Sequence, residues 1–166
     1  LAREAPRGTY PRGFSAEQST WTLIGVDGGS ESGLLSEDGA IEVAKGGFSI
    51  EPFVVANTQV VTWADVEAKP FLVGGYLPIP GVTWRHPQWD LRVSSFASGS
   101  RTQSRLVARY DLTNHTGQPL TLTLVLAARP FGACQAFVDV ALHRRIPVPH
   151  VAHVDREFLR VRGDLH

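Results

Sequence analysis

Arg105-Leu106-Val107-Ala108-Arg109-Tyr110-Asp111-Leu112-Thr113 runs into Asn114-His115-Thr116-Gly117-Gln118-Pro119, and then into Leu120-Thr121-Leu122-Thr123-Leu124-Val125-Leu126-Ala127. In the first stretch Leu106, Ala108, Tyr110 and Leu112 alternate with a mixed polar set. In the last, Leu120, Leu122, Leu124 and Leu126 alternate with Thr121, Thr123, Val125 and Ala127. A period of two is the signature of a half-buried strand. The segment between them is made of turn residues. Two alternating strands around a short polar loop predict an antiparallel hairpin.

Working outward, the same grammar recurs. Residues 21–26 predict a strand, closed by Asp27-Gly28-Gly29-Ser30. Leu34-Leu35-Ser36 and residues 40–43 flank Glu37-Asp38-Gly39, a tight-turn signal. Residues 48–56 and 58–66 predict a second hairpin, turning near Asn57. Residues 89–97 alternate again, with Trp89, Leu91 and Val93 on one side. Residues 71–87 carry Gly74, Gly75, Pro78, Pro80, Gly81 and Pro87, and predict an irregular loop with one short strand near 82–85. After Pro130 the pattern weakens: 136–142 reads as strand or short helix, 144–149 is broken by proline, and 156–161 is a weak final strand. The expected architecture is all-β, a large antiparallel β-sandwich with little helix. The expected divisions are a flexible N-terminal segment, 1–18, a sandwich domain, 19–131, and a tail, 132–166, a candidate to complete the sandwich.

Composition narrows the function classes. The chain has 166 residues, of ordinary length for one domain. Its 16 basic residues balance 16 acidic ones, which leaves no basic footprint for nucleic acid or an anionic membrane. No stretch of 18 apolar residues predicts a membrane span. The single cysteine, Cys134, excludes an internal disulfide scaffold. The chain has no methionine, which reads as a piece of something longer.

The sharpest site candidate is Trp84-Arg85-His86-Pro87-Gln88-Trp89-Asp90. Indole faces stack on the apolar faces of sugar rings, and Arg85, His86 and Asp90 can bond hydroxyls. The plain alternative puts Trp84 and Trp89 in the core. No acid/base pair stands out: Asp65 and Glu67, two apart, share a strand face, a spacing compatible with glycoside hydrolysis but common by chance. His143, His150, His153 and Asp155 cluster late, but His150 and His153 would meet one metal only on a helix, and Pro147 and Pro149 favour an extended path. Cys134 reads as a small buried hydrophobe rather than a nucleophile. Nucleophile-elbow and phosphate-loop motifs are absent. Asn114-His115-Thr116 is a glycosylation sequon, and Arg162-Gly163-Asp164 an adhesion tripeptide, both frequent by chance. No catalytic residue, metal or cofactor is assigned.

Several phrases are familiar together. They are Leu34-Leu35-Ser36-Glu37-Asp38-Gly39-Ala40, Gly46-Gly47-Phe48-Ser49-Ile50-Glu51-Pro52-Phe53 and Val61-Thr62-Trp63-Ala64-Asp65-Val66. Gly75-Tyr76-Leu77-Pro78-Ile79-Pro80, Val82-Thr83-Trp84-Arg85-His86 and 122–131 join them. Over 21–131 the chain resembles the β-supersandwich domain, a galactose-mutarotase-like sandwich, that precedes an (α/α)₆ barrel in bacterial six-hairpin glycosidase-like proteins and glycoside phosphorylases. From Gly132 onward the likeness stops. The resemblance implies a non-catalytic, carbohydrate-associated domain, because in such proteins the catalytic carboxylates belong to the barrel. It implies as partners a carbohydrate ligand and either a helical catalytic barrel or a second copy. Two alternatives remain: a small sugar epimerase or mutarotase-like enzyme pairing His86 with Glu67 or Asp65, and a structural protein-interaction domain.

Overall fold

A computed structural model of the chain describes residues 4–44, 46–130, 138–146 and 151–155. Among the described residues it is a sandwich of two antiparallel sheets. The first sheet contains β1 (Trp21–Gly25), β2 (Ser32–Ser36), β3 (Ile41–Glu42), β4 (Phe48–Ala56), β5 (Gln59–Val61), β10 (Leu120–Pro130) and β11 (Val138–Ile146). Its order is β1-β2-β3-β4-β10-β11, with β5 beside β4. The second sheet runs β12-β9-β8-β7-β6, made of β6 (Glu67–Leu72), β7 (Pro80–Arg85), β8 (Trp89–Gly99), β9 (Ser104–Asn114) and β12 (Val151–Asp155). The all-β sandwich expected from the alternation is what forms.

The core lies between the layers. Leu35, Ile41, Val54, Leu122 and Leu124 from the first sheet meet Val82, Trp84, Trp89, Leu91, Val93, Tyr110 and Leu112 from the second. Trp84, Trp89, Leu91 and Val93 have no exposed surface at all. Their burial is the dominant stabilising term, at roughly 25 cal/mol per Å² of apolar surface.

The expected hairpin of 105–113 with 120–127 does not form. β9 pairs with β8 and β12, whereas β10 pairs with β4 and β11. The loop between β9 and β10 is therefore an arch from one sheet to the other. The physical reason is that alternation fixes which face is greasy, not which strand lies alongside. Leu112 of β9 and Leu122 and Leu124 of β10 all point into the one interior, from opposite layers. Asn114, only 5% exposed, builds the arch: its Nδ2 donates to the Gln118 carbonyl at 2.9 Å, and its Oδ1 accepts from the Thr116 N–H at 2.8 Å. The sequon side chain is thus occupied inside the fold.

Three further expectations are corrected. The irregular loop expected over 71–87 is shorter, since Phe71 and Leu72 end β6 and Pro80 starts β7; Pro70 is tolerated because β6 is an edge strand among the described residues, pairing only with β7. The strand expected over 58–66 is cut to Gln59–Val61, because Thr62 and Asp65 form a capping box that starts a 3₁₀ turn at Trp63–Asp65. Residues 4–18 do not stand apart: Arg12 bonds Asp38, and the Trp63 indole donates to the Tyr10 carbonyl. Residues 136–142 fall partly in strand β11; 156–161 and the adhesion tripeptide lie outside the described residues.

Replacing Asn114 by Ala should cost about 1 kcal/mol, because the buried amide's hydrogen bonds to the Thr116 N–H and the Gln118 carbonyl are lost in a partly exposed turn. Urea unfolding measures it, and a loss below about 0.5 kcal/mol would show that the arch is held by other contacts.

Candidate functional site

The stretch 84–90 does not converge on one surface. Adjacent residues in a strand point to opposite faces. Trp84 and Trp89 therefore project into the interior, while Arg85 and Asp90, opposite each other in the β7–β8 register, face away from it. The stacking role expected of Trp84 and Trp89 has no exposed ring to act through. The His86 imidazole lies flat on Trp89, centroids 4.7 Å apart, in the β7–β8 turn. Asp90 Oδ1 is 3.1 Å from His115 Nε2 on the arch, a pairing that only the fold brings about.

The acid/base pairings do not assemble either. Asp65 spends its carboxylate on the Thr62 N–H and hydroxyl at 2.9 and 2.7 Å. Glu67 sits on the surface with Lys69 at 2.8 Å, and that hydrogen bond holds its carboxyl below the usual range. His143 lies on β11 of one sheet and His153 on β12 of the other, while Cys134 and His150 fall outside the described residues. Among the described residues no group of three metal-binding side chains occurs.

A different constellation is assembled on the outer side of the first sheet. In β4, Val54 points inward, so Ser49, Glu51 and Phe53 point outward by alternation. Outward groups in a sheet are normally wet, yet Glu51 is only 6% exposed. Residues 4–18 cover this face. Between strap and sheet lies a pocket whose lining includes Pro11, Trp21, Asp38, Glu51, Trp63 and, from the core side, the buried Trp84. Its free volume of ≈ 10 Å³ accommodates about one water molecule.

Each carboxylate in the pocket has an arginine. Arg12 Nε lies 2.8 Å from both oxygens of Asp38. Arg129 Nε lies 3.3 Å from Glu51, which also accepts from the Ser49 hydroxyl at 3.1 Å. Asp38 is held in place by the turn, where Gly39 adopts φ +86°, and by Trp84, whose indole N–H donates to the Asp38 carbonyl at 2.8 Å. Burial pushes both carboxyls above the ordinary range, outweighing the arginines that pull them down.

The aromatic wall is built around Trp63. The guanidinium carbons of Arg7 and Arg12 lie 4.6 and 4.5 Å from its ring centroid. Trp21, 37% exposed, is the pocket's wet indole. The sequence reading missed this site. Asp38 registered only as a turn residue, Glu51 as one polar position in a strand, and Arg12 as part of a loose end. The available signal was Arg7 and Arg12, two cations in a short Pro/Gly-rich segment, upstream of an outward strand face carrying Glu51.

No family model, curated protein or solved structure matches the chain.

The raised carboxyls predict a pH effect. The folded state binds protons on Asp38 and Glu51 more tightly than the unfolded chain does. The stability this gives is complete below the ordinary carboxylate value of about 4 and is lost as pH rises through the higher folded values. Glu51→Gln cannot titrate, so its stability relative to wild type should climb as pH rises through that window. Thermal melts from about pH 4 to 7 read the difference, and parallel curves would contradict the assignment.

Proposed function

We propose that the chain is a non-catalytic, carbohydrate-associated β-sandwich domain, working as the recognition part of a larger glycoside-active protein. The observation that carries the non-catalytic half is the state of the pocket. Its two carboxylates, Asp38 and Glu51, are each neutralised by an arginine at hydrogen-bond or ion-pair distance. A hydrolase or epimerase needs one carboxyl free to give or take a proton at the substrate. Here both carboxyls are engaged, Asp38 by Arg12 and Glu51 by Arg129 and Ser49. The carbohydrate half rests on the resemblance over 21–131 and on the composition of the outer face. Trp21, more than a third exposed, and Phe53 supply ring surface there, beside the polar groups of Asp38 and Glu51. This replaces Trp84 and Trp89 as the place where a sugar would stack.

Titration with gluco-, manno- and galacto-oligosaccharides, followed by tryptophan fluorescence and calorimetry, tests the reading. A ligand should change the emission, and Trp21→Ala should weaken binding by about 1–3 kcal/mol, the scale of one ring contact in a partly desolvated site. No heat and no spectral change across all three series would remove the carbohydrate assignment. Release of free sugar that Asp38→Asn or Glu51→Gln abolishes would overturn the non-catalytic one.

A further inference from the structure

The segment 4–18 sits on the sandwich as a ligand sits in a site. It joins neither sheet. Of its residues only Gly8 is buried, so little apolar area holds it down. What fastens it is a set of polar contacts in register. Thr9 gives its carbonyl to Arg129, Tyr10 gives its carbonyl to the Trp63 indole at 3.2 Å, and Arg12 places its guanidinium on Asp38 and over Trp63. The receiving groups all belong to the sandwich and its turns. Two read backbone carbonyls of a segment that turns at Pro6–Thr9 and enters a 3₁₀ turn at Arg12–Ser15, and the carboxylate with the indole face reads an arginine. Gly8 sets the register: a Cβ there would stand 2.0 Å from the Thr62 hydroxyl oxygen.

Segments held by few apolar contacts open far more often than the core does. Ala16, in the left-handed region at φ +61°, gives the segment a strained joint to the first strand. From this geometry we infer that the surface formed by Asp38, Trp63 and Arg129 is a recognition site for a turn-forming, arginine-bearing protein segment, and that residues 4–18 are its occupant in cis. The inference deepens the recognition role proposed above and uses the same face. When the strap opens, a segment of the same chemistry on a partner protein takes its place: a small residue against Thr62, carbonyls to Arg129 and Trp63, and a guanidinium on Asp38.

The probe is a fluorescently labelled synthetic peptide with the sequence of residues 4–18, titrated into the full chain and followed by anisotropy. In wild type the tethered strap competes. In Gly8→Ala the strap cannot seat, while every residue of the pocket is kept. A strap closed about ten times for each time it is open lowers the apparent affinity about tenfold, so Gly8→Ala should bind the peptide about tenfold or more tighter than wild type. The same peptide carrying Arg12→Ala should lose binding to the same extent. Circular dichroism and a thermal melt confirm that Gly8→Ala is folded. If it is not, the full chain with Arg12→Ala, whose cation is lost from a partly exposed side chain, replaces it with the same expectation. Equal affinity for wild type and variant, or equal binding of the Arg12→Ala peptide, overturns the inference. Oligosaccharide titrations on the same samples separate the two ideas. Sugar binding without peptide binding removes only this inference, and peptide binding without sugar binding removes only the carbohydrate assignment.

Discussion

Trp84 is the pin of the molecule. Its ring has no exposed surface and fills the space between the layers, while its indole N–H, which could not be buried unpaired without cost, donates to the Asp38 carbonyl at 2.8 Å. That one bond ties the second sheet to the β2–β3 turn of the first. It also fixes where the Asp38 carboxylate stands. The core and the pocket on the outer face are thus set by the same side chain, and the position of Arg12 follows from that of Asp38.

The outer face shows how a sandwich can carry charge under cover. Two carboxylates nine-tenths hidden from water are expensive unless paired. Here each pair joins segments far apart in the chain: Arg12 to Asp38, and Arg129 on β10 to Glu51 on β4. The pairs gain from mutual attraction but lose hydration, and burial wins in both carboxyls. Such contacts specify where a segment lies more than they strengthen the fold. The strap and the core accordingly belong to different energetic classes: one set of polar contacts in register, the other apolar area.

How much was legible follows from what each signal encodes. Alternation in 89–97, 105–113 and 120–127 located β8, β9 and β10 to within a few residues and assigned their buried faces correctly. The same alternation already placed Trp84 and Arg85, like Trp89 and Asp90, on opposite faces, so the proposed sugar platform conflicted with its own strand reading. The partner of each strand was not legible. A polar loop of the length of 115–119 closes a hairpin or spans two layers equally well, and the choice depends on Asn114 folding back onto Gln118 and on Leu122 and Leu124 finding β4's side of the core.

By itself, then, the sequence determined that the chain is all-β, which residues face the interior, and where turns must fall, because side-chain period and turn chemistry are local properties. Only the tertiary structure decided that β9 and β10 belong to different sheets, that Trp84 and Trp89 are core, and that Asp38, Glu51 and Trp63 line one pocket whose carboxylates pair with Arg12 and Arg129. Those outcomes depend on contacts between segments as far apart as residues 9 and 129, for which no local pattern carries a mark.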